Sequence, residues 1–125
     1  MSNSNLKPSF KLSVENNRYY VVEVFDDDDF TIEDLKKIVK IQNELGGIKL
    51  PVLVLCSPNT TGDVSMLNYL AKNENNPNSK ADAFVINSLA QKIIGSFYVK
   101  LISPERPTKM FTNKEDALIW LRQFE

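Results

Sequence analysis

The chain has 125 residues, 42% of them hydrophobic and 25% charged, with a formal net charge of −1. That size and composition give one globular domain whose core needs no disulfide or metal staple. The near-zero charge supplies no electrostatic reason for binding nucleic acid or an anionic membrane, and a single cysteine cannot form an internal disulfide.

The chemistry is narrowed by what is missing. Histidine is absent, which removes the commonest general acid–base and the commonest metal ligand. Triads that depend on histidine are excluded, and zinc or copper sites have too few ligands. No glycine-rich phosphate loop exists, because the four glycines include one close pair, Gly46 and Gly47. The first residues lack the apolar core of a signal peptide, Ser2 stands where myristoylation needs glycine, and no stretch reaches transmembrane length. The expectation is a soluble cytoplasmic protein without a cofactor.

Residues 1–8 are polar and read as a frayed terminus, with one domain over 9–125. Phe10, Leu12 and Val14 alternate with polar neighbours, residues 15–18 carry turn chemistry, and 19–24 return as a second strand, so a hairpin is predicted. Asp26, Asp27, Asp28 and Asp29 follow. Clustered carboxylates can hold a hard cation, but contiguous ones cannot all point inward and no calcium-loop spacing is present. The dipole of the next helix and solubility account for them. That helix is predicted over 31–45: Ile32, Leu35, Ile38, Val39 and Leu45 form one stripe, Thr31 caps it, and Gly46 and Gly47 stop it.

Residues 49–56 are the most continuously apolar run in the chain. A strand apolar on both faces must be covered on both, which predicts a central parallel strand, with Cys56 as a small core residue at its end. Residues 57–62 are a loop by composition. A shorter helix over 63–72 shows Val64, Leu67, Leu70 and Ala71 on one side, and 73–80 reads as exposed. Residues 81–86 form another short apolar strand. Ser88 and Gln91 have capping-box spacing and open a helix over 89–102. A last strand over 108–111, a second capping box at 112–115 and a final helix over 114–124 complete the order ββαβαβαβα. This is a single-domain α/β fold with a mixed, mostly parallel sheet and helices packed upon it.

The C-terminal half carries a resemblance. It runs Ala83-Phe-Val-Ile-Asn-Ser88, then Gly95-Ser-Phe97-Tyr98-Val-Lys-Leu101, Pro104 and Pro107. Lys109-Met-Phe111 and Glu115-Asp-Ala117-Leu-Ile-Trp120-Leu121 follow. These segments resemble the SpoIIAA-like branch of the STAS superfamily, small α/β proteins ending in a Phe-containing strand and an acidic–Ala–x–x–Trp–Leu helix. The resemblance implies a non-enzymatic regulatory or protein-binding domain. Members of STAS type that antagonise anti-sigma factors carry a phosphorylated Ser directly after an Asp. Here Val64 separates Asp63 from Ser65, a departure from that pattern.

Two candidate sites result. Ser57, Thr60, Thr61, Asp63 and Ser65 lie between the central strand's carboxyl end and a helix N-terminus, a place for a phospho-switch or a partner loop. Turn and cap chemistry explains the same residue types. Tyr19, Tyr20, Phe97, Tyr98 and Trp120 could line an apolar cavity under helices 89–102 and 114–124, or be core. As acid–base groups, Asp63, Glu44 and the aspartate run have no nucleophile beside them, so no catalytic or metal residue is assigned. The functional expectation is a STAS-like regulatory domain that binds another protein or a second copy of itself. The alternative is a carrier or sensor of an apolar, lipid-like small molecule.

Overall fold

The computed structural model describes residues 9–25 and 29–125, so the terminus read as frayed and Asp26, Asp27 and Asp28 lie outside the described residues. Strands β1 (Phe10–Glu15) and β2 (Tyr19–Val24) form the expected antiparallel hairpin, with Phe10 opposite Val24 and Glu15 opposite Tyr19. Its turn needs Asn16 and Asn17 at φ 51° and 57°, a left-handed region that asparagine tolerates better than most residues. Helix α1 (Ile32–Glu44) opens on a reciprocal cap: Thr31 accepts from the Asp34 backbone N–H, and the Asp34 carboxylate accepts from that of Thr31. It ends before Gly46, at φ 111°, and Gly47, at φ 65°. Leu45 therefore leaves the predicted stripe and stands half exposed.

The elements then alternate as β3 (Leu50–Cys56), α2 (Val64–Ala71), β4 (Ser79–Val85), α3 (Leu89–Phe97), β5 (Thr108–Phe111) and α4 (Lys114–Leu121). The sheet order is β1-β2-β3-β4-β5, and every pairing after the hairpin is parallel. The predicted central strand is central. Pro51 can sit there because the β3–β4 register shifts between Leu50 and Val52, so its missing N–H coincides with a break in the ladder.

Strands added in sequential order by crossovers of one hand deliver all their helices to one face. That face carries α1, α2 and α3, with Leu35, Met66, Leu67 and Tyr98 packed on Tyr20, Val22 and Val52. Helix α4 is not a crossover and closes the opposite face, where Ala117 and Leu121 meet Val21, Leu53, Ala83 and Val85. The expectation of one cavity beneath both 89–102 and 114–124 therefore fails, because the sheet lies between those helices.

Three local expectations are also corrected. The last cap is Asn113 with Asp116, one residue beyond the predicted 112–115 box. Asparagine is at least as good a cap as threonine, and this register turns Ala117 and Leu121 toward the sheet. Strand β4 starts at Ser79 because pairing with Leu50 overrides its polar composition. Asn76 and Asn78 in the segment read as exposed are buried. The Asn76 amide donates to the Leu70 and Lys72 carbonyls, and that of Asn78 to the Asn43 side chain. Buried polar groups persist when satisfied in this way.

Candidate functional site

The 57–65 loop leaves β3 and is fastened from beneath. Ser57 and Thr60 pair through their hydroxyls, and Thr60 is buried. Gln91, in the first turn of α3, donates from its side-chain amide to the carbonyls of Ser57 at 2.6 Å and Thr60 at 2.9 Å. Gln91 is therefore not the return half of the predicted capping box. Ser88 does accept from the Gln91 backbone N–H, but the Gln91 side-chain oxygen accepts from the backbone of Asn87. Thr61 bonds the Asp29 carboxylate, and Asp63 caps α2 by accepting from Met66 N–H at 2.8 Å. Ser65 is exposed in the first turn of α2. The loop thus brings the five predicted residues together, with Ser57 and Thr60 engaged in holding its shape.

The five aromatics assigned to a ligand cavity are dispersed, with Tyr19 packed on the α4 face. Tyr20 is buried and donates to the Ile48 carbonyl. Phe97 packs half-buried on the three-helix core. Trp120 lies on the α4 face between Phe111 and Phe124, with ring centroids 5.8 and 4.8 Å away. Only Tyr98 borders a cavity.

That cavity, about 140 Å³, lies between the sheet and α1, α2 and α3. Val22, Val54, Phe84, Leu70, Ile94 and Met110 form much of its wall. Tyr98 is 1% exposed, stands edge-on to Phe84 at 6.3 Å, and its hydroxyl has no hydrogen-bond partner among the described residues. Burial pushes its pKa far up, the Asp82 charge pushes the same way and Arg106 opposes, so the phenol stays protonated. The backbone widens at this residue. Residues Tyr98–Ile102 form a π turn, closed by Ser103 N–H to the Tyr98 carbonyl at 3.0 Å, with Ser103 at φ 60°.

Beside Tyr98 is a buried ion pair that the sequence reading missed. Arg106 reaches one Asp82 carboxylate oxygen through Nε at 2.9 Å and Nη2 at 2.7 Å, with both side chains under 5% exposed. Its remaining reach goes to the Leu70 carbonyl and the Asn73 side chain. Burial pushes the Asp82 carboxyl upward, against the charge and hydrogen bonding of Arg106. A signal was available: Asp82 is the one charge in the apolar run 81–86, and a buried carboxylate demands a cation.

Cys56 also borders the cavity, and burial pushes its thiol up to about 11. The thiolate is the reactive form, so alkylation at pH 8 should run roughly a hundredfold slower than at a free cysteine. Mass spectrometry of native and urea-unfolded protein checks this, and comparable rates in the two states would refute it.

On the outer side of α3 and the π turn that continues it, Leu89, Ile93 and Leu101 are 73%, 63% and 74% exposed. A shallow groove beside them separates α3 from the free edge of β5, bordered by Lys92, Lys100, Lys109, Val99, Phe111 and Asp116. Among the described residues, no helix is long and apolar enough to cross a membrane.

Comparison with known proteins agrees with this architecture. A solved structure from Shewanella loihica PV-4, an uncharacterized protein of the DUF3478 family with a SpoIIAA-like fold, aligns with a TM-score of 0.58. The two are 19% identical over 90% of this chain and 91% of that one, a likeness of fold. The SpoIIAA-like architecture implied by the C-terminal motifs is thus the one the chain adopts. No curated protein matches. A family model described as a domain of unknown function, DUF7793, matches residues 14–125. That span takes in every parallel strand, all three crossovers and α4, and the chain belongs to the DUF7793 family.

Proposed function

We propose that this domain acts by binding rather than catalysis, docking another protein along the outer face of α3 and the groove beside β5. The observation that carries the reading is the row Leu89, Ile93 and Leu101, large apolar side chains left mostly in water along α3 and the π turn that continues it. Isolated exposed hydrophobics are ordinary, but a row on one element fits an interface. Leu89 and Ile93 are one turn apart on a shared face, and half-buried Phe97 continues the row toward Leu101. Residues 89–102 contain Lys92 and Lys100 and no acidic side chain, and Lys109 adds to them across the groove. A partner segment with apolar anchors and acidic flanks is complementary to this surface.

The experiment is quantitative capture of host proteins on wild type, Ile93→Asp and Ser65→Asp. The expected result is a protein whose binding weakens with salt and falls at least tenfold with Ile93→Asp. Thermal stability should be unchanged, since Ile93 is exposed. Binding indifferent to Ile93→Asp contradicts the reading. Loss with Ser65→Asp alone would move the interface to the 57–65 loop and favour the phospho-switch considered for that loop.

A further inference from the structure

We infer that the cavity beneath α1, α2 and α3 is a binding site for a small neutral molecule of single-ring size. That molecule carries one hydrogen-bonding oxygen, which meets the Tyr98 hydroxyl. Size sets the first limit. At about 140 Å³ the space matches engineered cavities of about 150 Å³ that admit benzene. It falls well short of the roughly 300 Å³ at which sites for drug-sized ligands begin, so a whole lipid or nucleotide does not fit.

Charge sets the second limit. Asp82 and Arg106 are the charged side chains at the cavity, and they neutralise one another at 2.7 Å. An ionic ligand would enter this apolar space without a counter-charge, at a large desolvation cost. The ligand is therefore neutral.

Tyr98 supplies the point of recognition. Its hydroxyl is buried and protonated, and it has no partner among the described residues. Arg106 makes no bond to it: the guanidinium bonds go to Asp82, Leu70 and Asn73. Buried polar groups are rarely left in this state, and an orphan at a cavity wall indicates a missing occupant. A resident water needs two to four polar partners, whereas this wall is overwhelmingly apolar. A ring with one hydroxyl or carbonyl satisfies both the wall and Tyr98. The π turn begins at this residue, and such turns gather at functional sites. Met66 and Met110, unbranched and adaptable, line the same space and can yield to an entering ring.

The test uses phenol and benzene on the full chain, following thermal midpoint and the NMR signals of Phe84, Ile94 and Met110. Both probes should raise the midpoint and shift those signals. Tyr98→Phe keeps the ring and the packing, and should weaken phenol binding about tenfold while leaving benzene binding intact. Leu70→Phe, which fills the space, should abolish both. If Leu70→Phe misfolds, the Tyr98→Phe comparison still decides. Absence of any shift with either probe overturns the site. Equal loss of phenol and benzene binding, or none, in Tyr98→Phe overturns the role given to the hydroxyl.

Discussion

Arg106→Leu, with Asp82 left in place, is expected to destabilise the fold by about 3–5 kcal/mol. The reason is the carboxylate left behind. Asp82 sits on β4 with its side chain 4% exposed, so without the guanidinium it must ionise unpaired or take up a proton. The Leu70 carbonyl and the Asn73 side chain lose donors in the same step. Against a total stability of about 5–15 kcal/mol for a domain this size, the loss is a large fraction. The double variant Asp82→Leu with Arg106→Leu should recover most of it, because paired removal leaves no orphaned charge. Urea titration of the three proteins is the measurement. A single-variant loss under about 1 kcal/mol would mean that water reaches the carboxylate, and with it the cavity.

Leu121→Ala should cost about 3–5 kcal/mol, through lost transfer energy and the space left behind. Among the described residues helix α4 is the one α-helix on its face, and Leu121, 1% exposed, packs there with Val21, Leu53, Ala83 and Val85. No second helix can move in to fill the gap. Trp120→Ala should cost less despite the larger side chain. Trp120 is half-buried at the rim, and Phe111 and Phe124 can close over part of the vacancy. Thermal or urea unfolding ranks the two. A larger loss for Trp120→Ala would show that the rim aromatics, rather than Leu121, seal the back face.

These positions also show where sequence reasoning reaches and where it stops. The run 49–56 announced a central strand because burial on both faces leaves no room for polar alternation. Gly46 and Gly47, Thr31 and Asp63 marked helix ends by local chemistry, and local chemistry is legible in a sequence. A helix's apolar stripe says which residues are buried and nothing of what they are buried against. The stripes of α3 and α4 therefore read alike: the hand of the crossovers places α3, and α4, which joins no two strands, covers the face they leave open. Tyr98 and Trp120 were grouped for the same reason and lie on either side of the sheet.

Long-range polar partners were harder still. Arg106 is 24 residues from Asp82, and Gln91 is 34 from Ser57, distances over which no periodicity operates. Gln91 had the spacing of a capping box, and its side chain was claimed instead by a loop brought close only by folding. The outward face of α3 was concealed by the same hydrophobicity. Leu89 and Leu101 look like core in the sequence and stand in water in the fold.

Whether α3 is a docking surface is tested most directly by hydrogen–deuterium exchange, comparing the free protein with its complex with the captured partner. The account predicts added protection at residues 89–101 and along the β5 edge at 108–111, with the 57–65 loop unchanged. Protection confined to 57–65, or to the β1–β2 hairpin with α3 exchanging as in the free protein, would contradict it.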